Sequence, residues 1–232
     1  MTASFAGFPK ELFTFLEALS KNNNREWFNA NRQRYETDVV APVMSFITEV
    51  GHFLPTLSTA MVADTRRTGG SMFRIYRDTR FSKDKRPYKE NVGCQFRHID
   101  GKNAHTPGFY VHLSPREVFI GGGIWRPDTP TLNRIRDAIV EHPSEWQTVL
   151  DNHDFSRYFG ALASGDKLKR IPRGYEADHP YAADLKRKDF TAIKTLDPAS
   201  ALSPEFMKEV KTAFTAVSPL LAFVARHTGY PY

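Results

Sequence analysis

The sequence predicts an α+β fold, namely an antiparallel β-meander of about four to five strands with N-terminal, middle and C-terminal helices packed mainly on one face. Three observations predict it. Apolar residues recur at helical spacing in the first and last parts of the chain, they alternate with other residues in the middle, and the connections there are too short to join parallel strands. No repeat or linker divides the chain, so we expect residues 1–232 to form a single domain.

Residues 9–54 are predicted to form three helices. One face of the first helix carries Leu12, Phe15, Leu16 and Leu19. Pro9 suits the first turn of this helix, and Asn23 followed by Glu26 is a capping-box pattern for the second. The third helix contains Pro42 near its start or at a kink.

The middle of the chain is predicted to form strands at residues 72–77, 92–97, 109–113 and 118–121, with a further short strand near residues 190–193. Alternation within the first strand would place Arg74 and Tyr76 on one face and Phe73, Ile75 and Arg77 on the other. Arg74 is then a cation presented by the surface of a sheet.

Further helices follow the strands. Thr129 and Pro130 fit the cap and the first turn of one helix, and His142-Pro143 breaks it before a short helix with Trp146. Residues 151–197 are expected to be irregular apart from the short strand. The last helix is predicted to start at Ser203-Pro204.

The positive charge of the chain is concentrated in one stretch. The formal net charge is +6, yet residues 66–89 alone carry nine basic and two acidic side chains, a net charge of +7. Two acids cannot neutralise nine bases locally, so the balancing charge is expected either from an anionic partner or from acids elsewhere in the chain. The rest of the chain sums to −1.

Several classes of site are not indicated. Cys94 is the lone cysteine, so neither an internal disulfide nor a cysteine-rich zinc site is expected, and a small buried strand residue is favoured. The histidines show no metal-ligand spacing, and His98 and His112 are interpreted as structural. No signal peptide or span of membrane length is visible, which predicts a cytoplasmic protein that does not bind membranes. No cofactor and no oligomeric state is indicated.

The leading hypothesis is a pocket for a phosphorylated small molecule or nucleotide. Guanidinium and ammonium groups would grip its anion, two tyrosines would orient or stack on it, and one aspartate would position an arginine or act as a base. The residues concerned are Arg74, Tyr76, Arg77, Asp78, Arg80, Lys85, Tyr88 and Lys89. No complete set of nucleophile, base and orienting group is present, so the sequence leaves open whether the protein is an enzyme.

Secondary candidates lie further along the chain. Gly122 and Gly123 end a predicted strand before a helix, where free amides could cradle an anion, but close backbone packing with Trp125 in the core is favoured. The basic residues Lys169, Arg170 and Lys188 become relevant only if their segment folds onto the first basic stretch.

Two alternatives to the pocket remain open. Basic residues interleaved with Phe73, Tyr76, Phe81 and Tyr88 on a sheet are typical of nucleic-acid stacking platforms. A non-catalytic scaffold or partner-binding domain is the other alternative, and it would have the arginines paired with carboxylates of the chain itself.

Several segments together resemble domain-of-unknown-function family 2461 over nearly the whole chain. They are residues 73–89, 108–113 (GFYVHL), 121–127 (GGGIWRP) and 168–175 (LKRIPRGY), together with Phe8 and the Trp27-Phe28 helix. The resemblance implies a single domain and transfers no catalytic residue.

Overall fold

The computed structural model describes residues 5–101 and 104–232. Its sheet is an antiparallel meander of four strands in the order β1-β2-β3-β4, which confirms the predicted α+β architecture. The strands are β1 (Val92–Arg97), β2 (Gly108–Leu113), β3 (Val118–Ile124) and β4 (Phe190–Leu196). The short strand expected near residue 190 is therefore β4, which pairs with β3 although residues 125–189 separate the two along the chain.

Residues 72–77 do not form the predicted strand. They make two isolated bridges instead, Met72 with Cys94 of β1 and Tyr76 with Tyr88. The segment changes its partner between these two bridges, so neither pairing extends into a ladder.

The N-terminal helical part contains α1 (Lys10–Lys21), α2 (Arg25–Ala30), α3 (Arg32–Arg34), a π-helical segment (Tyr35–Val40), α4 (Ala41–Phe53) and a 3-10 turn (Leu54–Thr56). Asn24 rather than Asn23 caps α2, since its side chain accepts the Trp27 N–H at 2.9 Å. The π-helical segment ends two residues before Pro42, which has no N–H to donate to the preceding turn.

The second helical part contains α5 (Thr129–Glu141), α6 (Pro143–Leu150), α7 (His153–Phe159), α8 (Ala182–Leu185), a 3-10 helix (Pro198–Leu202) and α9 (Phe206–Thr228). Asp128, not Thr129, caps α5 by accepting the Thr131 N–H at 2.9 Å. The break at His142-Pro143 is confirmed. The stretch expected to be irregular includes α7 and α8.

The helices pack on one face of the sheet, called here the inner face. Phe214 of α9 stacks on Phe109 of β2 with ring centroids 4.5 Å apart. Gly122 of β3 lets α9 approach closely, because a Cβ at this position would lie 3.1 Å from Val217 and 3.2 Å from Leu221. Cys94 is buried as expected.

One helical stretch, Arg32–Thr56, is long and apolar enough to cross a membrane by length and composition, with a mean hydropathy of 1.2. Such a stretch is weak evidence for a span, because a core helix of a globular protein passes the same test. Val43, Phe46, Ile47 and Val50 of this stretch are buried in the hydrophobic core.

Candidate ligand-binding site

The face of the sheet opposite the helices, called here the outer face, carries a row of aromatic side chains. Tyr110 and His112 of β2 and Phe119 of β3 alternate with fully buried inner-face residues, so they point away from the helices. Phe73, beside β1, joins them, because its N–H donates to the carbonyl of Gly93 at 2.9 Å. All four rings are partly exposed.

The four rings, called here the aromatic row, form a continuous set of contacts. The ring centroids of Phe73 and Tyr110 lie 6.0 Å apart, and those of Tyr110 and Phe119 lie 5.7 Å apart. His112 stacks on Phe119 at 4.4 Å with nearly parallel planes. Burial lowers the pKa of His112, which favours its neutral form.

The basic stretch lies at the β1 edge of the sheet, and carboxylates of the chain pair with many of its cations. The ion pairs are Arg66 with Asp64, Arg67 with Glu36, Arg77 with Asp84, Arg80 with Asp78, and Arg86 with both Asp84 and Glu90. This pattern is what the scaffold alternative expects for these five arginines. Five of the nine basic side chains in residues 66–89 are therefore already paired with carboxylates.

Two cations near the aromatic row have no carboxylate partner among the residues the structure describes. The Nζ atom of Lys89 donates to the carbonyl oxygen of Arg74 at 2.7 Å and lies 5.5 Å from the centre of the Phe73 ring. The guanidinium of Arg74 is exposed and makes no hydrogen bond or ion pair within residues 5–101 and 104–232. Lys85 likewise has no carboxylate partner among the described residues, and it donates to the carbonyl oxygen of Thr79 at 2.9 Å.

The aromatic residues of the basic stretch have different environments. Tyr88 is only 3% exposed and stacks on Phe28 at 4.2 Å, so its ring faces are occupied by the core. The side chain of Asn23 binds the backbone N–H and carbonyl of Tyr88. Tyr76 is 54% exposed, and Phe81 is 95% exposed in the loop that follows. The sequence predicted an aromatic face made of Phe73, Tyr76, Phe81 and Tyr88. Of these four residues, only Phe73 belongs to the aromatic row.

Asp78 is held by its neighbour in the chain. The hydrogen bond from the Arg80 guanidinium lowers the pKa of Asp78 to about 2. A carboxylate with such a low pKa is a weak base, so the arrangement fits the positioning of an arginine better than proton transfer.

The glycine run packs as the sequence analysis favoured, but Trp125 does not lie in the core. Gly122 and Gly123 lie within β3, between β2 and β4, so their amides belong to the ladders. Trp125 is 50% exposed, and its ring stacks on His105 at 5.6 Å. Trp125 follows the end of β3 and lies outside the sheet.

The second basic stretch lies at the other edge of the sheet. Lys167 bridges to Arg187, and the Lys188 N–H donates to the Asp166 carbonyl at 3.0 Å, so this segment runs beside the start of β4. Lys169, Arg170 and Lys188 are exposed. With strands about 4.8 Å apart, the width of the sheet separates them from the β1 edge, and the two basic stretches do not form one site.

Asp189 is a buried carboxylate beside β4. It is 6% exposed and lies against Gly165, where a Cβ would come within 2.2 Å of its Oδ1 atom. Its side chain makes no hydrogen bond and no ion pair within residues 5–101 and 104–232. Burial raises the pKa of Asp189, while the nearby Arg187 acts in the opposite direction.

Tyr110, Phe119 and Asp189 were not among the candidates expected from the sequence, and His112 was interpreted as structural. Alternation within β3 contained the signal for Phe119, since it lies between Val118 and Ile120, which both face the core. Asp189 follows Arg187 and Lys188 in sequence. Such a run of charged residues is typical of a solvent-exposed ion pair. Its burial depends on Gly165, which is far away in the sequence.

A family model described as "Conserved hypothetical protein (DUF2461)" matches residues 11–223. The chain belongs to this family. No curated protein and no solved structure matches it significantly.

In this DUF2461 member, three of the segments that carried the resemblance meet at the outer face. Residues 73–89 lie at the β1 edge, residues 108–113 form β2, and residues 121–127 form the end of β3 and the turn after it. We therefore take the outer face as the candidate functional surface.

Proposed function

We propose that this protein binds a phosphate-bearing ligand at Arg74 and Lys89. The observation that carries the proposal is the adjacency of two cations that no carboxylate of the described chain neutralises. Burial, and secondarily the charge of Arg74, lower the pKa of Lys89. Two like charges beside each other are unfavourable without an anion, and a bound anion removes that cost.

Phosphate suits these two groups. A guanidinium offers parallel N–H donors that match two phosphate oxygens, and an ammonium adds a point charge. Arg74 is exposed, so it can reach a ligand without breaking an existing ion pair. The neighbouring arginines Arg77 and Arg80 would have to give up Asp84 and Asp78 first.

The surroundings favour a ligand that also carries a ring. Lys89 lies over Phe73, which contacts Tyr110, and Tyr76 is exposed nearby in sequence. Aromatic side chains beside a cation pair are suited to a base next to its phosphate. A nucleotide therefore fits this surface better than a simple sugar phosphate.

Thermal unfolding with added ligand tests the proposal. Inorganic phosphate, pyrophosphate and AMP should each raise the Tm of the full chain, because a ligand that binds only the folded state stabilises it. Arg74→Ala and Lys89→Met should abolish the rise. Arg80→Ala is the matched control, since it removes an arginine that is already paired with Asp78, and the rise should persist.

Two outcomes would refute the proposal. One is that none of the three probes changes the Tm of the wild-type chain. The other is that Arg80→Ala removes the effect as fully as Arg74→Ala, because the response would then reflect net charge rather than this site.

A further inference from the structure

The outer face extends the candidate phosphate site into a surface that runs across several strands. Starting from Arg74 and Lys89, the aromatic row passes over β1 to β2 and β3 through Phe73, Tyr110 and Phe119. The successive ring-centroid separations of 6.0 and 5.7 Å place Phe73 and Phe119 at most about 12 Å apart. This length exceeds a single nucleotide ring and suits several consecutive bases.

We infer that the outer face binds single-stranded nucleic acid, with bases stacked on the aromatic row and a backbone phosphate at Arg74 and Lys89. The inference rests on the proposed function, because the two cations supply the phosphate contact. It adds the class of ligand and a second set of residues, of which Tyr110, His112 and Phe119 lie on the strands themselves.

The spacing of the rings supports this ligand. Phe73, Tyr110 and Phe119 are 5.7 to 6.0 Å apart and inclined by 38° to their neighbours, so different bases can contact different rings. Two positions between them on this face, Gly93 and Gly121, carry no side chain. The rings are therefore not separated by bulky side chains that would hold a nucleic-acid strand away from the sheet.

The position of the aromatic row on the surface of the sheet favours a nucleic-acid strand over a small molecule as the ligand. Small ligands are usually held in concave sites that bury most of their surface. A cavity of about 440 Å³ lies beside the β1 edge, and Asp64, Ser71 and Arg97 are among its lining residues, but no ring of the aromatic row lines it. A row of partly exposed rings on the sheet surface gives a nucleic-acid strand contact along its length.

The stacking geometry also distinguishes single strands from duplexes. In a duplex the faces of the bases are covered by their neighbours, so the aromatic row could contact only the backbone. Beyond the end of β3, the exposed Trp125, which stacks on His105, offers a further ring. These rings are accessible only to bases that are not already stacked in a helix.

Fluorescence anisotropy with the full chain tests the inference. The probes are labelled oligo-dT and oligo-U of about 12 nucleotides, and a duplex of the same length, at about 50 mM salt and above. We expect both single strands to bind more tightly than the duplex. Phe119→Ala should weaken single-strand binding roughly tenfold while leaving the salt dependence unchanged. Arg74→Ala should reduce the slope of log affinity against log salt by about 0.7.

Matched variants separate stacking from folding defects. Phe119→Tyr keeps a ring and should retain binding, and His112→Ala removes the ring stacked on Phe119 from a different strand, which should weaken binding. Phe81→Ala removes an exposed ring outside the aromatic row and should have no effect. Arg157→Ala, on α7 in the helical layer, is the control for loss of one positive charge.

The results distinguish failure of this inference from failure of the proposed function. If phosphate and AMP stabilise the chain through Arg74 but no oligonucleotide binds, the phosphate site stands and the strand-binding surface is refuted. Equal affinity for duplex and single strands, or wild-type affinity in both Phe119→Ala and His112→Ala, refutes it as well. Absence of any response to phosphate, AMP and oligonucleotides refutes both.

Discussion

The Nε2 atom of His98 donates a hydrogen bond to the carbonyl oxygen of Pro231 over 2.6 Å. The direction follows from the other side of the ring, where Nδ1 accepts the Asp100 N–H at 3.1 Å. The residue just after β1 is thereby tied to the end of the chain. The interpretation of His98 as a structural residue agrees with both contacts.

His98→Ala should lower the stability of the protein. The substitution removes a partly buried hydrogen bond to the Pro231 carbonyl and the acceptor of the Asp100 N–H, and a typical hydrogen bond contributes about 0.5–1.5 kcal/mol. In a chain of this size each kcal/mol lowers the Tm by about 2–4 °C. Thermal unfolding measures the change. His153→Ala, at an exposed histidine, should leave the Tm nearly unchanged, and an equal loss in both variants would contradict the prediction.

Gly121→Ala should be strongly destabilising. A Cβ at Gly121 would lie 1.9 Å from the backbone oxygen of Ala192, so β3 and β4 would have to separate locally. We expect a loss of about 3 kcal/mol or more. Gly51→Ala in α4 is the control, because its new Cβ meets only the Ala63 side chain at 3.3 Å and alanine favours a helix. Denaturant unfolding of both variants decides the point; similar stabilities would show that the strands are not packed this closely.

Asp189→Asn should raise the Tm at neutral pH. Burial raises the pKa of Asp189 in the folded state above that in the unfolded chain, so the folded state holds the proton more tightly. Stability from this residue is then highest below the unfolded pKa of about 3.9 and falls as the pH rises through the folded pKa. The gain in the asparagine variant should accordingly vanish below about pH 4.

Thermal unfolding between acidic and neutral pH measures that dependence, with Asp178→Asn at an exposed carboxylate as the control. A lower Tm of Asp189→Asn at neutral pH would mean that the charge of Arg187 outweighs the burial of the carboxylate.

Asp84→Asn should increase the affinity of the chain for polyanions. The carboxylate of Asp84 pairs with Arg77 and Arg86, each at 2.7 Å, so its loss frees the guanidinium of Arg77 and leaves Arg86 paired with Glu90 alone. The variant should elute from heparin at higher salt than the wild type. Glu17→Gln changes the net charge equally on α1 and should shift elution less. Equal shifts would indicate a response to net charge alone.

The sheet could be predicted from alternation where a strand pairs along its whole length. This held for β1, β2 and β3, whose inner-face residues are apolar in sequence and fully buried. It failed at residues 72–77, because Met72 and Tyr76 pair with different partners, and the pattern of apolar residues does not encode a change of partner.

The candidate site was harder to predict, because its charges are balanced from outside the basic stretch. Asp64, Glu36 and Glu90 pair with Arg66, Arg67 and Arg86, and all three acids lie beyond residues 66–89. The exposure of side chains in irregular segments could not be predicted from the sequence either. Tyr88 was expected at the site and lies in the core, whereas Trp125 was expected in the core and is exposed, because non-local packing decides both.

The late position of β4 in the chain has a consequence for biosynthesis. While residues 190–232 are still being translated, β3 has its backbone N–H and C=O groups unpaired along one side, and the inner face lacks α9. A bare strand edge beside uncovered apolar surface is a template for pairing with other nascent chains. Ribosome-stalled or C-terminally truncated products should therefore aggregate and depend on chaperones until β4 and α9 emerge.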